Sequence, residues 1–268
     1  MGYDLNHQFP KTLSGLKAKA KKIARREDIP HCTALDQAAR QSGAHDYQHF
    51  RRLYGGVQHV IPFRHEIILE QDWVEPRSGQ TQRVALRLPL SRSVDDLPCR
   101  GIGRLPRVKI RRRRGNRFLI EASNFSNEEF ARGDLTRVAR TIQFVDATDL
   151  VLANHRSACR APCPRYRGLD HASTWMLPEI GRPLHVDEPY SDIGRSLLGP
   201  FNESGQVWCQ ENQFEWLRPN WAGMYRPEDW TDFILMSHKI EGEPVVPIAR
   251  KLEAYHPAVL TWTADFIS

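Results

Sequence analysis

The sequence predicts an α+β protein in which a small N-terminal three-helix module precedes a mixed body with antiparallel hairpins. Apolar residues recur at helical spacing near the start of the chain, and further on short β-rich runs flank glycine-containing turns. Charge and composition change along the body as well. We therefore expect a helical module over residues 1–58 and a body over 59–268, with a basic part at 100–167 and an acidic, Trp-rich part at 168–268.

Three short helices account for the module. A helix over residues 12–26 is predicted by a narrow apolar stripe that includes Leu16 and Ile23. A second helix is expected over residues 33–42, and Asp46 is placed to cap a third. Three helices of this size make a core too small to be very stable alone, so we expect the module to dock on the body.

Two hairpins and a helix are predicted in the body. The first hairpin joins residues 67–74 to 83–88, and the second joins 107–112 to 118–122 across Arg114-Gly115-Asn116. Ser126 and Glu129 fit a capping box, and Asp134 is predicted to cap a helix that buries Leu135, Val138, Ala139 and Ile142. Short strands broken by prolines follow, and their order is not predictable.

Composition excludes a membrane-spanning protein. No run of about 18 apolar residues exists, and the opening MGYDLNHQFPKT contains no apolar signal region. The five cysteines are odd in number, which favours reduced thiols. We expect a cytoplasmic protein that does not contact a membrane.

The net charge of +6 is unevenly distributed. Residues 11–26 contain seven Lys or Arg and no acid, and residues 100–117 contain nine and no acid. Residues 168–268 instead hold fifteen acids against seven bases, together with six of the seven tryptophans. The basic segments indicate a polyanion as partner, and the acidic Trp-rich part indicates a site or a protein contact.

The second hairpin is the main candidate for nucleic-acid binding. If its first strand alternates, one face is half apolar and the other is wholly cationic, and the arginines of the turn extend that face. The alternatives are a solvated edge strand protected by charge, or a match to the acidic C-terminal part. The first helix is the second basic surface. The predicted contacts are Lys109, Arg111, Arg112, Arg113, Arg114 and Arg117 in the hairpin, and Lys17, Lys21 and Arg25 in the helix.

Four residues of the C-terminal part are candidate catalytic groups: Asp170, His171, Asp187 and Glu188. The two pairs are seventeen residues apart, so a strand–turn–strand return can bring them together. Histidine titrates near neutrality, so His171 would transfer the proton while Asp187 or Glu188 orients its ring. The alternative is a structural role, because loop aspartates often cap turns and a buried histidine often bonds to backbone.

No metal or cofactor is expected. His155, Cys159, Cys163 and His171 include zinc-type ligands, but metal knuckles usually separate their cysteines by two residues, and the prolines at 162 and 164 exclude a helix that would align them. Neither a phosphate loop nor a dinucleotide fingerprint is present.

Two stretches resemble known families. Leu16-Lys17, Ala20-Lys21, His31, Ala34-Leu35, Ala38-Ala39, Gly43 and Asp46-Tyr47 resemble a short helical module at the front of many bacterial proteins, some of them glyoxalase-related. Asp170 to Trp175, Val186 to Tyr190 and Trp221 to Tyr225 resemble an uncharacterised bacterial family often carried on mobile elements. The resemblance implies a bacterial cytoplasm and assigns no activity.

Three functions remain open on the sequence alone. The first is a nucleic-acid-binding protein, for DNA or RNA, that uses the basic hairpin and the basic first helix. The second is a hydrolase or nuclease centred on His171. The third is a protein-interaction factor of a toxin–antitoxin or anti-defence system, which would bind a protein partner through the acidic Trp-rich part.

Overall fold

The fold is described by a computed structural model, which is α+β as predicted. It describes residues 13–42, 44, 46–54, 62–98, 109–125, 127–153, 162–165, 169–190, 203–225, 231–255 and 260–263. The helices of these residues are α1 (Leu13–Glu27), α2 (His31–Gln41), α3 (Tyr47–Tyr54), α4 (Glu128–Thr148), α5 (Glu203–Glu211) and α6 (Val245–Ala254). The strands are β1 (His65–Val74), β2 (Thr81–Leu90), β3 (Lys109–Arg112), β4 (Arg117–Phe125), β5 (Val151–Leu152), β6 (Ser173–Met176), β7 (Pro183–Asp187), β8 (Phe214–Leu217), β9 (Ile234–His238) and β10 (Thr261–Trp262).

The three N-terminal helices pack together and against the rest of the chain. α1 lies along α2, and α3 contacts both of them and α6. The predicted apolar stripe is buried, with Leu16 fully enclosed and Ile23 nearly so. α2 begins at His31, two residues before its predicted start, because Pro30 precedes the first turn and fixes the chain direction there. Most buried residues of these helices and of the sheets form one continuous core, and Cys209, Phe214, Ile234 and Met236 form a second, smaller cluster. The predicted boundary at residue 58 lies outside the described residues.

The first sheet has the strand order β10-β2-β1-β4-β3. β1 and β2 form an antiparallel hairpin in which Val74 lies opposite Thr81, and β3 and β4 form another in which Arg112 lies opposite Phe118. Both predicted hairpins are therefore confirmed. The second hairpin joins the first through a parallel contact between β1 and β4, which leaves β3 as an edge strand.

α4 is one continuous helix, and its predicted caps were wrong. Its N-cap is Asn127, whose side chain accepts the backbone N–H of Glu129 at 2.7 Å, rather than Ser126. Asp134 lies inside the helix and accepts a hydrogen bond from Gln71 of β1 at 3.4 Å. Asparagine caps a helix as well as serine does, so composition alone could not distinguish the two neighbours. The four residues predicted to point inward are all buried.

α4 lies between the two sheets. It packs on β1, β2 and β4, and its C-terminal half is buried on all sides. The Phe144 ring lies 4.8 Å from that of Trp175 in β6. A helix that is enclosed in this way forms the centre of the core, to which each sheet adds one apolar face.

The second sheet is antiparallel throughout, in the order β5-β6-β7-β9-β8, with α5 packed on β8 and α6 on β8 and β9. All five residues of β7 are buried. His171 lies just before the start of β6, and Asp187 is the last residue of β7. Because β6 and β7 are antiparallel neighbours, the two residues lie at the same end of this strand pair. In the part of the chain that the structure describes, no helix is long and apolar enough to cross a membrane.

Candidate functional site

Three of the predicted binding cations form a single row on α1. Lys17, Lys21 and Arg25 are each four residues apart and all are exposed. Four helical residues rise about 6 Å, so the three charges follow one line along the helix surface. Among the described residues, no carboxylate forms an ion pair with any of the three.

The neighbouring cations of α1 are less available than this row. Arg26 pairs with Glu27 at 2.5 Å. Lys19 is half-buried, and burial, followed by the charge of Arg26, lowers its pKa below the usual value. The accessible positive charge of α1 is therefore concentrated on the row and on the adjacent, exposed Lys22.

One cation of the second hairpin is used inside the fold. Glu70 of β1 is only 1% exposed, and it accepts a hydrogen bond from Arg117 Nε at 2.7 Å. The parallel pairing of β1 with β4 brings the two residues to neighbouring strands. A buried carboxylate needs a paired charge, so Arg117 stabilises the sheet and is not free for a ligand.

Two more hairpin arginines are paired near the surface. Arg111 Nε lies 3.0 Å from a carboxylate oxygen of Glu121 on β4. Arg112 makes a two-point contact with Asp95, at 2.6 and 3.2 Å. These partners belong to the first sheet and to the short 3-10 helix Val94–Asp96 that follows β2. The alternative of a match between the hairpin and the acidic C-terminal part therefore does not hold for these two arginines.

The remaining three hairpin cations are exposed. Lys109, Arg113 and Arg114 form no ion pair within the described ranges. The outer face of β3 is cationic as predicted, but β4 places Glu121 beside it. The sheet face is therefore mixed in charge, and the cations without a carboxylate partner lie at the start of β3 and in the turn.

The second candidate site brings the four predicted catalytic residues together. Asp187 Oδ1 accepts the backbone N–H of Asp170 at 2.8 Å, and Asp170 O accepts that of Glu188 at 3.1 Å. His171 Nδ1 lies 3.3 Å from the backbone oxygen of Glu188. The predicted return of the chain through β6 and β7 produces this arrangement.

The predicted orientation of the histidine ring was wrong. His171 Nδ1 lies 3.2 Å from Asp170 Oδ1, so Asp170 and the carbonyl of Glu188 orient the ring, and the carboxylates of residues 187 and 188 do not. With acceptors on both sides, Nδ1 carries the proton. The ring stacks on Tyr225 with centroids 3.5 Å apart, and Tyr190 meets its edge at 5.2 Å.

The Glu188 carboxylate is directed into the protein. Its Oε1 accepts the backbone N–H groups of Met224 and Tyr225 at 2.6 and 2.9 Å. Burial raises its pKa to about 7, against the opposing effect of those two hydrogen bonds. A Cβ on Gly223, whose φ is +92°, would lie 2.7 Å from the same oxygen, so glycine is required there.

Tyr225 was not among the candidate site residues predicted from the sequence, where it appears only in the resemblance of Trp221 to Tyr225. The run at 221–225 carries part of the family resemblance, but nothing local shows that it closes over Glu188.

Trp221 is buried in the core and Trp208 and Trp216 are partly buried, whereas Trp230 lies outside the described residues. The large apolar residues that are exposed in the described part are Phe130, Ile180, Val207 and Ile240.

The metal-ligand pattern considered in the sequence cannot be assembled from the described residues. His155 and Cys159 lie outside them, and Cys163 is partly buried. Within the described ranges, no group of three or more His, Cys, Asp or Glu is arranged to hold a metal ion.

Comparison with known proteins identifies no relative: no family model, curated protein or solved structure matches the chain. The resemblance to a mobile-element family and to a glyoxalase-related module stays a prediction.

Proposed function

We propose that this protein binds nucleic acid through the phosphate backbone, with the α1 row as the main contact and the turn of the second hairpin as an additional one. The observation that carries the proposal is the row itself: Lys17, Lys21 and Arg25 are exposed, aligned, and without ion partners in the described part of the chain.

An aligned row of like charges is unfavourable unless something neutralises it. Charges about 6 Å apart on one helix face repel each other, and salt screens that repulsion only partly at this distance. A phosphate backbone relieves the repulsion and releases its own condensed counterions, which adds affinity for each phosphate neutralised. The row supplies such contacts without moving any backbone.

The buried side of α1 favours nucleic acid over a lipid surface. An amphipathic basic helix binds a membrane by inserting its apolar face between headgroups. In this protein Leu16 and Ala20 are fully buried and Ile23 is 4% exposed, so the apolar face is occupied by the core. Only the charged face remains for a partner.

The experiment is a titration of a labelled oligonucleotide over a series of salt concentrations. The proposal expects binding that weakens linearly in log Kd against log salt concentration, and a shallower slope when the three row cations are replaced by alanine. Absence of binding at low salt would contradict it.

A second candidate function is phosphodiester or other ester hydrolysis at His171. The contact between His171 Nδ1 and Asp170 Oδ1 at 3.2 Å favours it, because a carboxylate that holds the ring is a common arrangement in histidine bases. A cleavage assay on the same oligonucleotides decides the question, because His171→Asn removes the imidazole ring. Loss of a measurable cleavage rate in that variant would establish the site as catalytic.

A further inference from the structure

Within the proposed function, and resting on it, we infer that the α1 row and the hairpin turn take double-stranded rather than single-stranded nucleic acid. Two features of these surfaces lead to the inference. Their cations are held on rigid elements, and the described residues of α1 and of the hairpin segment 109–121 include no exposed aromatic side chain.

The cations are fixed by the fold. α1 packs along α2, with Leu16 and Ala20 fully buried. The hairpin turn is held by paired strands, and its Gly115 adopts a φ of +68°. A duplex presents phosphates at fixed spacing, so it meets preorganised cations without an ordering cost. A flexible single strand must lose conformational freedom on binding.

Single-strand binding usually offsets that cost by stacking bases on aromatic rings. α1 contains no aromatic residue. In the hairpin from Lys109 to Glu121 the one aromatic residue is Phe118, which is 4% exposed and lies under the Arg112 guanidinium at 5.5 Å from its ring centre. Within the described residues of α1 and of this hairpin segment, unstacked bases therefore find no exposed ring.

The test compares a duplex with a thymidine homopolymer of equal length, using the full chain and anisotropy titrations over a range of salt. We expect the duplex to bind about tenfold more tightly at about 0.1 M salt, with a salt slope of about 0.9 per phosphate contact against about 0.7 for the single strand. Alanine at Lys17, Lys21 and Arg25 should reduce the slope for the duplex.

The three other possible results of this comparison contradict different parts of the proposal. Equal or tighter binding of the homopolymer would overturn the preference for duplex and leave the proposed function standing. Failure of both ligands to bind at low salt would overturn the proposed function and this inference together. A duplex preference that survives the triple alanine variant would overturn the assignment of the preference to these cations.

Discussion

Glu188 accepts the backbone N–H of Tyr225 at 2.9 Å, and Tyr225 in turn stacks its ring on His171 at a centroid distance of 3.5 Å. This contact joins the end of β7 to the loop after β8, which lies far along the chain. His171 is itself tied back to the carbonyl of Glu188. The four residues predicted as catalytic are therefore bonded mainly to one another and to backbone, which is typical of a structural cluster.

The first prediction concerns the pH dependence that Glu188 imposes on stability. Its pKa is about 7 in the folded chain, above the usual value of 4.5, so the folded state keeps the proton that the unfolded state releases. Its contribution to the free energy of unfolding is fully present below pH 4.5 and is lost as pH rises through 7. The total loss is about 3 kcal/mol. Urea unfolding between pH 5 and 8 should show this loss, and Glu188→Gln should remove it. Equal pH slopes in the two proteins would contradict the assignment.

His185 should produce the opposite dependence. Its ring is 4% exposed and lies between Thr174 Oγ1 at 3.0 Å and the carbonyl of Pro162 at 3.2 Å. Burial lowers its pKa from 6.5 to about 4. The stability it provides is present above pH 6.5 and falls as pH drops through 4, by about 3 kcal/mol in total. In denaturant unfolding, His185→Gln should lose less stability than the parent between pH 7 and 4.5; an identical loss would show that His185 does not carry this effect.

His171 gives a third test, which separates a structural role from a catalytic one. Its φ of +55° is left-handed, a region that asparagine tolerates better than alanine does. His171→Ala should lower the unfolding free energy by about 1–3 kcal/mol, since it loses the bond to Glu188 O and the contact with Tyr225. His171→Asn should lose less than His171→Ala. If both variants keep the parent's stability, the structural role is wrong and the hydrolytic function becomes the better account.

The fourth prediction contrasts two arginines of the same hairpin. Arg117→Ala leaves Glu70 buried without its main partner and should cost at least about 2 kcal/mol. Arg111→Ala breaks a surface pair with Glu121 and should cost less than about 1 kcal/mol. Each change removes one positive charge, so the two variants control for each other in thermal or urea unfolding. Equal costs would mean that Glu70 is not stabilised by Arg117.

The fold was predictable where local signals were strong. The two hairpins follow from turns at Gly79 and Gly115, which adopt φ values of +67° and +68°, and α1 follows from its apolar spacing. The second sheet could not be ordered. β7 is buried at every position, so it lacks the alternation that identifies a half-exposed strand.

The sequence could not show which arginines of the basic hairpin are ion-paired, because their partners are distant in sequence. Arg117 meets Glu70 through the parallel pairing of β4 with β1, and Arg112 meets Asp95 in the segment after β2. Neither pairing has a local signature. The exposed row on α1 was predictable, because helical spacing alone places residues four apart on one face.

Binding of nucleic acid by the α1 row is tested most directly by a matched pair of triple variants. One replaces Lys17, Lys21 and Arg25 with alanine, and the other replaces Arg77, Lys239 and Arg250, three exposed cations outside both proposed surfaces.

Both variants lower the net charge of the chain equally, so a general effect of charge would weaken duplex binding equally in the two. We expect the α1 variant to reduce the slope of log Kd against log salt concentration by about 2 to 3, while the control variant keeps the parent slope. Equal slopes in the two variants would contradict a nucleic-acid-binding row on α1.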